Sequence, residues 1–345
     1  MAEHYENLST ADQKEILQSA AASIGRAAAV LEKDIWVCWA LQALFGIQER
    51  HPMAFKGGTS LSKVHGLIDR FSEDVDITLD YRAFDDQGYS KYPDKYEPFG
   101  DRANNSQSKK FGERLRGYAI HYVGEVVLPV LEEQVALLSN NDGFELTLED
   151  EGESIHLAYP SVDRRDQYLR PIVRLEFGGR NVIDPNATHI VEPYVKEVTR
   201  EVIYPSPEVT VLAPERTFWE KATLMHVACN RNKFEQSAER SSRHWYDLSQ
   251  MSKSETGVAA IENRGLLEDV VRHKKVFFRT GGANYDACLE RGLLLVPGEQ
   301  GLELLRQDYR AMCEAGMMSG DAPSFDEIVE SVKMVEDKVN SQTEE

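Results

Sequence analysis

Two stretches of the chain carry residue types suited to phosphate chemistry. The first is Lys56-Gly57-Gly58-Thr59-Ser60-Leu61-Ser62-Lys63, and the second is Phe71-Ser72-Glu73-Asp74-Val75-Asp76-Ile77. Paired glycines at a strand-to-helix turn let the backbone approach a phosphate closely. The helix behind them offers unpaired N–H groups and a positive dipole end. Thr59 and Ser60 add hydroxyl donors. The spacing is not that of a P-loop, because Lys63 lacks the glycine that precedes the lysine there, and no G-x-G-x-x-G occurs. Asp74 and Asp76 are two apart in an alternating segment, so both carboxylates project the same way. Such a pair suits Mg2+, a hard cation that takes oxygen ligands and substrate phosphates. Without a cation the two carboxylates repel each other.

A third carboxylate on a neighbouring strand would complete a two-metal site. Glu176, in the apolar run Ile172–Gly178, is the candidate, with Asp184 as a weaker alternative. Arg174 shares the polar face of that run with Glu176, so a surface ion pair is the competing reading. Lys221 lies among Phe218, Leu224 and Met225 at helical spacing, on an apolar flank where a lysine needs a partner or must extend to solvent. Arg243 and Asp247 are four apart, which suits an intrahelical ion pair as well as a site role. Lys33 with Glu32 or Asp34 reads as structural. So does the pair His226 and Cys229. The run His273–Arg279 either grips phosphates and stacks a base or forms a charged, Phe-packed helix edge.

These residues need scaffolding. Two helices are expected between Ser9 and Gly46, the first capped near Ser9. The second, through Leu31–Leu41, should have one buried face. Met53–Lys56 is a short strand, and Thr59–Arg70 a helix. Asp74–Asp80 alternates polar and apolar residues, the mark of a half-buried strand. Residues 81–106 read as a polar surface loop, followed by a long helix from Ser108 to about Leu138. Several strands follow over residues 139–210, and helices dominate after Pro214. This order predicts an α/β (α+β) protein: N-terminal helices over residues 1–50, a mixed-sheet core over 51–212, and a helical C-terminal part over 213–345.

Composition sets limits. The chain has 345 residues, 41% hydrophobic and 28% charged, with a formal net charge of −19, as expected of a water-soluble fold. That charge argues against non-specific binding to DNA or anionic membranes. The four cysteines are scattered without a C-x-x-C pair, so a zinc ribbon or redox motif is not expected. No apolar run is long enough to span a bilayer, and the acidic N-terminus lacks an apolar signal core. The expected location is the cytoplasm.

The stretch Lys56–Ile77 resembles the first motif of the nucleotidyltransferase fold in the AbiEii type, the toxin class of bacterial toxin–antitoxin pairs. Leu31-Glu32-Lys33-Asp34-Ile35-Trp36 is similar to that family's N-terminal segment. Pro214–Lys221 resembles the helix with its essential lysine, and Arg243–Leu248 the helix with its R-x-x-x-D-L motif. The resemblance implies a nucleotidyltransferase-fold core and a Mg2+-dependent transfer of NMP from an NTP. Asp74 and Asp76 would then be metal ligands, with Glu176 the third candidate from the residue pattern. Gly57, Gly58, Thr59, Ser60, Lys63, Ser72 and Arg243 would lie at the nucleotide. Lys221 would bind the NTP phosphates, and Asp247 would position Lys221 or a metal-bound group. An RNA acceptor (the tRNA 3′ end), a role in phage defence and a cognate antitoxin are implied as well. Transfer to a protein or small-molecule hydroxyl, and a non-catalytic nucleotide-binding role, stay open as alternatives. The segments 81–106 and 139–170 are longer than the family pattern.

Overall fold

The computed structural model describes residues 3–84, 105–162, 170–231, 234, 240–318 and 320–341. Most of the expected 81–106 loop lies outside the described residues. Its two ends are a short 3-10 turn, Tyr81–Ala83, and the start of a helix at Asn105. The chain divides into two compact units. The first contains Met1–Val64, Phe71–Gln87 and Glu113–Val211, and the second His65–Arg70, Gly88–Gly112 and Leu212–Glu345.

The first unit is built on a seven-stranded mixed sheet among the described residues. Its strands are β1 (Met53–Lys56), β2 (Asp74–Asp80), β3 (Glu145–Leu148), β4 (Ser154–Ala158), β5 (Ile172–Asn181), β6 (Asn186–Ile190) and β7 (Glu208–Leu212), in the order β3-β4-β5-β2-β1-β7-β6. The architecture is the mixed α/β one that the sequence predicts. β2 is central, running antiparallel to β1 and parallel to β5. That position corrects the half-buried reading of β2: Thr78 and Asp80 on its polar side are also buried.

Two helices precede the sheet, α1 (Thr10–Ile24) and α2 (Ala28–Phe45). Ser9 caps α1, accepting the Asp12 N–H, as its residue type predicts. α2 departs from expectation. It is buried nearly all round rather than on one face. Its apolar residues join Val75, Ile77, Val173, Leu175 and Val211 in one core, while Leu31 and Ile35 pack with Leu17 of α1 and Val195 in another.

The expected long helix is continuous in path but not in type. α4 (Asn105–Tyr122) passes through a π-helical turn, Val123–Val127, into α5 (Leu128–Ala136), the label α3 belonging to Gly57–Lys63. Pro129 in the first turn of α5 explains the change. Proline has no N–H to give the preceding turn and its ring crowds it, so the backbone widens locally.

The second unit contains α6 (Pro214–Arg231), α7 (Ser242–Ser252), α8 (Glu255–Glu262), α9 (Arg264–Phe277), α10 (Glu299–Glu314) and α11 (Phe325–Ser341). Its core is fixed by polar clips between apolar surfaces. The indole N–H of Trp219 donates to the Ala260 carbonyl at 3.0 Å and that of Trp245 to Leu295 at 2.8 Å. Glu336 accepts from the N–H groups of Leu295 and Val296.

Candidate functional site

In the first unit, β1 ends at Lys56, and the chain turns through Gly57 into α3 (Gly57–Lys63). Gly57 has φ +80°, a conformation that side chains disfavour. A Cβ there would also sit 2.0 Å from Asp76 Oδ2 and 2.8 Å from its Cγ. Glycine is therefore demanded twice, by the backbone angle and by the Asp76 carboxylate against it. The N-cap residue, Lys56, makes no side-chain capping bond to the first turn of α3.

The two hydroxyls behind Gly58 face inward. Thr59 Oγ1 donates to the Asp74 carbonyl at 2.5 Å, and Ser60 Oγ donates to the Gly57 carbonyl at 3.0 Å. Both residues are buried. The Thr59 hydroxyl ties the glycine turn to the carboxylate strand, and the Ser60 hydroxyl closes on the turn itself. Lys63 also faces the interior. Its ammonium lies 2.5 Å from Asp34 Oδ1 and 4.3 Å over the Tyr194 ring. The sequence places it at the nucleotide; the structure commits it to Asp34. Ser72 is half-buried just before β2.

The carboxylates are set by register. Asp76 stands opposite Glu176 and Asp74 opposite Arg174 on the parallel pair β2–β5. On the far side of β5, Ser154 and His156 of β4 stand opposite Glu176 and Arg174. Glu176 is ion-paired with Arg174, so the surface pair read from the sequence exists. It does not exhaust Glu176. Burial first, then the charge of Asp76, pushes the Glu176 carboxyl up to about 7 against the pull of Arg174, and it shares a hydrogen bond with Asp76. Arg174 also reaches Glu149 Oε2 at 3.1 Å, and Glu149 Oε1 lies 2.8 Å from His156 Nε2. A charged row thus runs from His156 through Glu149 and Arg174 to Glu176 and Asp76. Asp184 belongs elsewhere: it pairs with Arg82, which also holds Asp80.

The donor set suits a hard cation. The three side chains offer oxygen only, and Glu176, raised by burial first and then by Asp76, shares negative charge with Asp76 that a cation relieves. Among the described residues, no three His, Cys, Asp or Glu side chains are already gathered as a metal would hold them. Glu176 would have to exchange Arg174 for the ion.

The second unit holds its own charged cluster. Asp247 is fully buried and accepts from Arg70 through both oxygens, Nε–Oδ1 at 2.6 Å and Nη2–Oδ2 at 2.8 Å. Lys221 Nζ lies 2.9 Å from Asp247 Oδ2. Burial raises the Asp247 carboxyl, but Arg70 and Lys221 override it and hold the group well below the carboxylate range. Burial lowers Lys221, and Arg70 and Arg243 lower it further. Lys221 therefore does not extend along its apolar flank to solvent. Among the described residues, the partners of Asp247 are Arg70 and Lys221 rather than Arg243 on its own helix. Sequence reading missed Arg70, since a single arginine outside any periodic pattern carries no signal of its long-range partner.

Other sequence candidates resolve as structure. His226 Nε2 donates to the Asn284 carbonyl at 3.0 Å, and Nδ1 accepts the Leu294 N–H. His273 and Phe277 are buried, Lys274 lies over Phe278 at 4.3 Å, and Lys275 pairs with Asp286. That run is the packed, charged helix edge of the two readings.

A family model for the nucleotidyl transferase AbiEii toxin of type IV TA systems matches residues 39–331. The class is therefore a nucleotidyltransferase toxin. The chain belongs to the AbiEii family, which implies a nucleotide substrate and an antitoxin counterpart. Among solved structures it is similar to MenT4, a nucleotidyltransferase toxin from Mycobacterium tuberculosis H37Rv. The identity is 16%, over 94% of this chain and 97% of that one, with a TM-score of 0.43. No curated protein matches. Among the described residues, no helix is long and apolar enough to cross a membrane.

Proposed function

We propose that the protein transfers an NMP from an NTP to an RNA hydroxyl, the tRNA 3′ end in particular, with Mg2+ held by Asp74, Asp76 and Glu176. The observation that carries this reading is the register setting Asp76 beside Glu176, with Gly57 packed directly on the Asp76 carboxylate. Bound Mg2+ supplies Lewis acidity, lowering the pKa of the attacking hydroxyl and offsetting phosphate charge. The chain supplies the rest. Gly57 and Gly58 keep the turn free of side chains, Thr59 fixes it to β2, and Ser60 braces it internally through the Gly57 carbonyl. Glu176, raised to about 7 by burial and then by Asp76, would join Asp74 and Asp76 in holding the ion, its pair with Arg174 giving way. Lys221 is assigned to the NTP phosphates on family membership alone, with Asp247 holding its ammonium. Cationic groups fixed in advance stabilise charge that develops in the transition state. A cognate antitoxin protein is the expected partner.

The net charge of −19 favours a second reading, transfer to a protein or small-molecule hydroxyl, because an acidic protein gains little from general attraction to RNA. Incubation with Mg2+, each α-32P NTP in turn and total tRNA separates the two. Label on tRNA that disappears with Asp74→Ala/Asp76→Ala supports the first. Label on protein alone supports the second, and no label with any acceptor removes both.

A further inference from the structure

α2 carries three consecutive charged residues, Glu32, Lys33 and Asp34, and each is at least 95% buried. Consecutive helix residues point about 100° apart, so they cannot share one face. Each finds partners on other parts of the chain. Glu32 accepts from Ser161 Oγ at 2.6 Å and the Val162 N–H at 2.8 Å. Asp34 holds Lys63 and accepts the Tyr194 N–H at 2.7 Å. Lys33 pairs with Glu73 and donates to the Arg170 carbonyl at 3.1 Å. Burying an ammonium is costly, and an apolar side chain of similar volume often serves stability as well. The partners of Lys33 indicate what the charge is for.

Glu73 immediately precedes β2, and Arg170 lies two residues before β5. Lys33 therefore ties together the starts of the two parallel strands that carry Asp74, Asp76 and Glu176. Parallel strands have no tight turn between them to fix their register. A slip of two residues would carry Glu176 about 7 Å along β2, away from Asp76. The alternation of the extended chain puts Glu73 on the side of Val75 and Ile77, the face α2 covers, and Asp74 and Asp76 on the other. Lys33 is thus behind the sheet and cannot touch the reacting atoms.

We propose that Lys33 is a positioning residue: its link to Glu73 and the Arg170 carbonyl sets the β2–β5 register that brings Asp76 and Glu176 together. The proposal rests on the carboxylate site assigned above. Partners outside the ligand shell are typically worth about 10–100-fold in metal affinity or activity. Lys33→Met and Glu73→Gln should each weaken Mn2+ binding, measured by electron paramagnetic resonance without nucleotide, by about tenfold or more. The same variants should lower kcat per folded protein more than they change KM for the NTP. Lys33→Arg should recover most of the loss, and the double variant should be no worse than the poorer single one.

Wild-type Mn2+ affinity and kcat in a folded Lys33→Met protein, or a loss confined to urea stability, would overturn the proposal. If Lys33→Met does not fold, Glu73→Gln decides, since that side chain is partly exposed and leaves Lys33 its carbonyl partner. Asp76→Ala keeps the two failures apart. Mn2+ binding lost in Asp76→Ala but unchanged in Lys33→Met and Glu73→Gln sinks only the positioning role. Mn2+ that binds wild type and Asp76→Ala equally sinks the carboxylate site and the positioning role with it.

Discussion

Replacing Gly57 with alanine adds one methyl group where the turn meets the carboxylate strand. The new Cβ would lie 2.0 Å from Asp76 Oδ2, 2.8 Å from Cγ and 3.1 Å from Cβ, whereas ordinary contact begins at 3.4 Å. Relief requires the carboxylate to retreat by about 1.4 Å. Rotation about the Asp76 side-chain bond moves the oxygen but leaves its Cβ too close, so the strand or the turn must also shift. Alanine at φ +80° adds about 1–2 kcal/mol of backbone strain. A misplacement of about 1 Å in a group that must be aligned costs roughly a hundredfold in rate. Gly57→Ala should therefore fold, lose about 1–3 kcal/mol in urea unfolding, and turn over about a hundredfold more slowly. Steady-state transfer per folded protein is the assay. A folded Gly57→Ala variant that works at the wild-type rate would refute the claim that Asp76 must stay where Gly57 allows it.

Other residues give sharp outcomes too. Asp247→Asn leaves Arg70 and Lys221 buried without their shared anion, and should cost about 3–5 kcal/mol in urea unfolding. A loss under 1 kcal/mol would mean the pair is not buried as described. Lys63→Met should lose stability on a similar scale by stranding Asp34, with little change in KM for the NTP; a large rise in KM with stability intact would restore Lys63 to the nucleotide. His51, His226 and His244 are all held below their ordinary value near 6.5, by burial first. Their folded forms resist protonation, so their contribution is complete above about pH 6.5 and is lost as pH falls towards their folded values. Glu176, raised to about 7, works in the opposite direction, so the profile is read in Glu176→Gln, which removes that opposing contribution. Thermal stability should drop from pH 7.5 to 5.5, and a flat or rising profile would contradict the burial of these histidines.

The local patterns were legible because they are short-range. The period-two alternation of Asp74–Asp80 and Ile172–Gly178, the Gly-Gly turn and the Ser9 cap follow from spacing alone, and the structure has each of them. What could not be read were pairings across the chain. Lys33 looked paired with its neighbours, yet it finds Glu73 and Arg170. Lys63 was placed at the nucleotide by the family resemblance, and its pair with Asp34 at the end of α3 was not visible in the sequence. Thr59 and Ser60 were read as outward donors, since sequence does not say that the Asp74 and Gly57 carbonyls stand within reach. α2 has mixed polarity, so its near-complete burial became visible only with the partners of its charges in place.

The central claim is that the Asp76–Glu176 pair performs nucleotidyl transfer. Its most direct test is release of pyrophosphate from an NTP, with the α-phosphate label appearing on an acceptor, for wild type, Asp76→Asn and Glu176→Gln with and without Mg2+. Mg2+-dependent release by wild type, reduced at least a hundredfold in both variants, is the predicted result. Release that persists in Asp76→Asn and Glu176→Gln, or that ignores Mg2+, would contradict it.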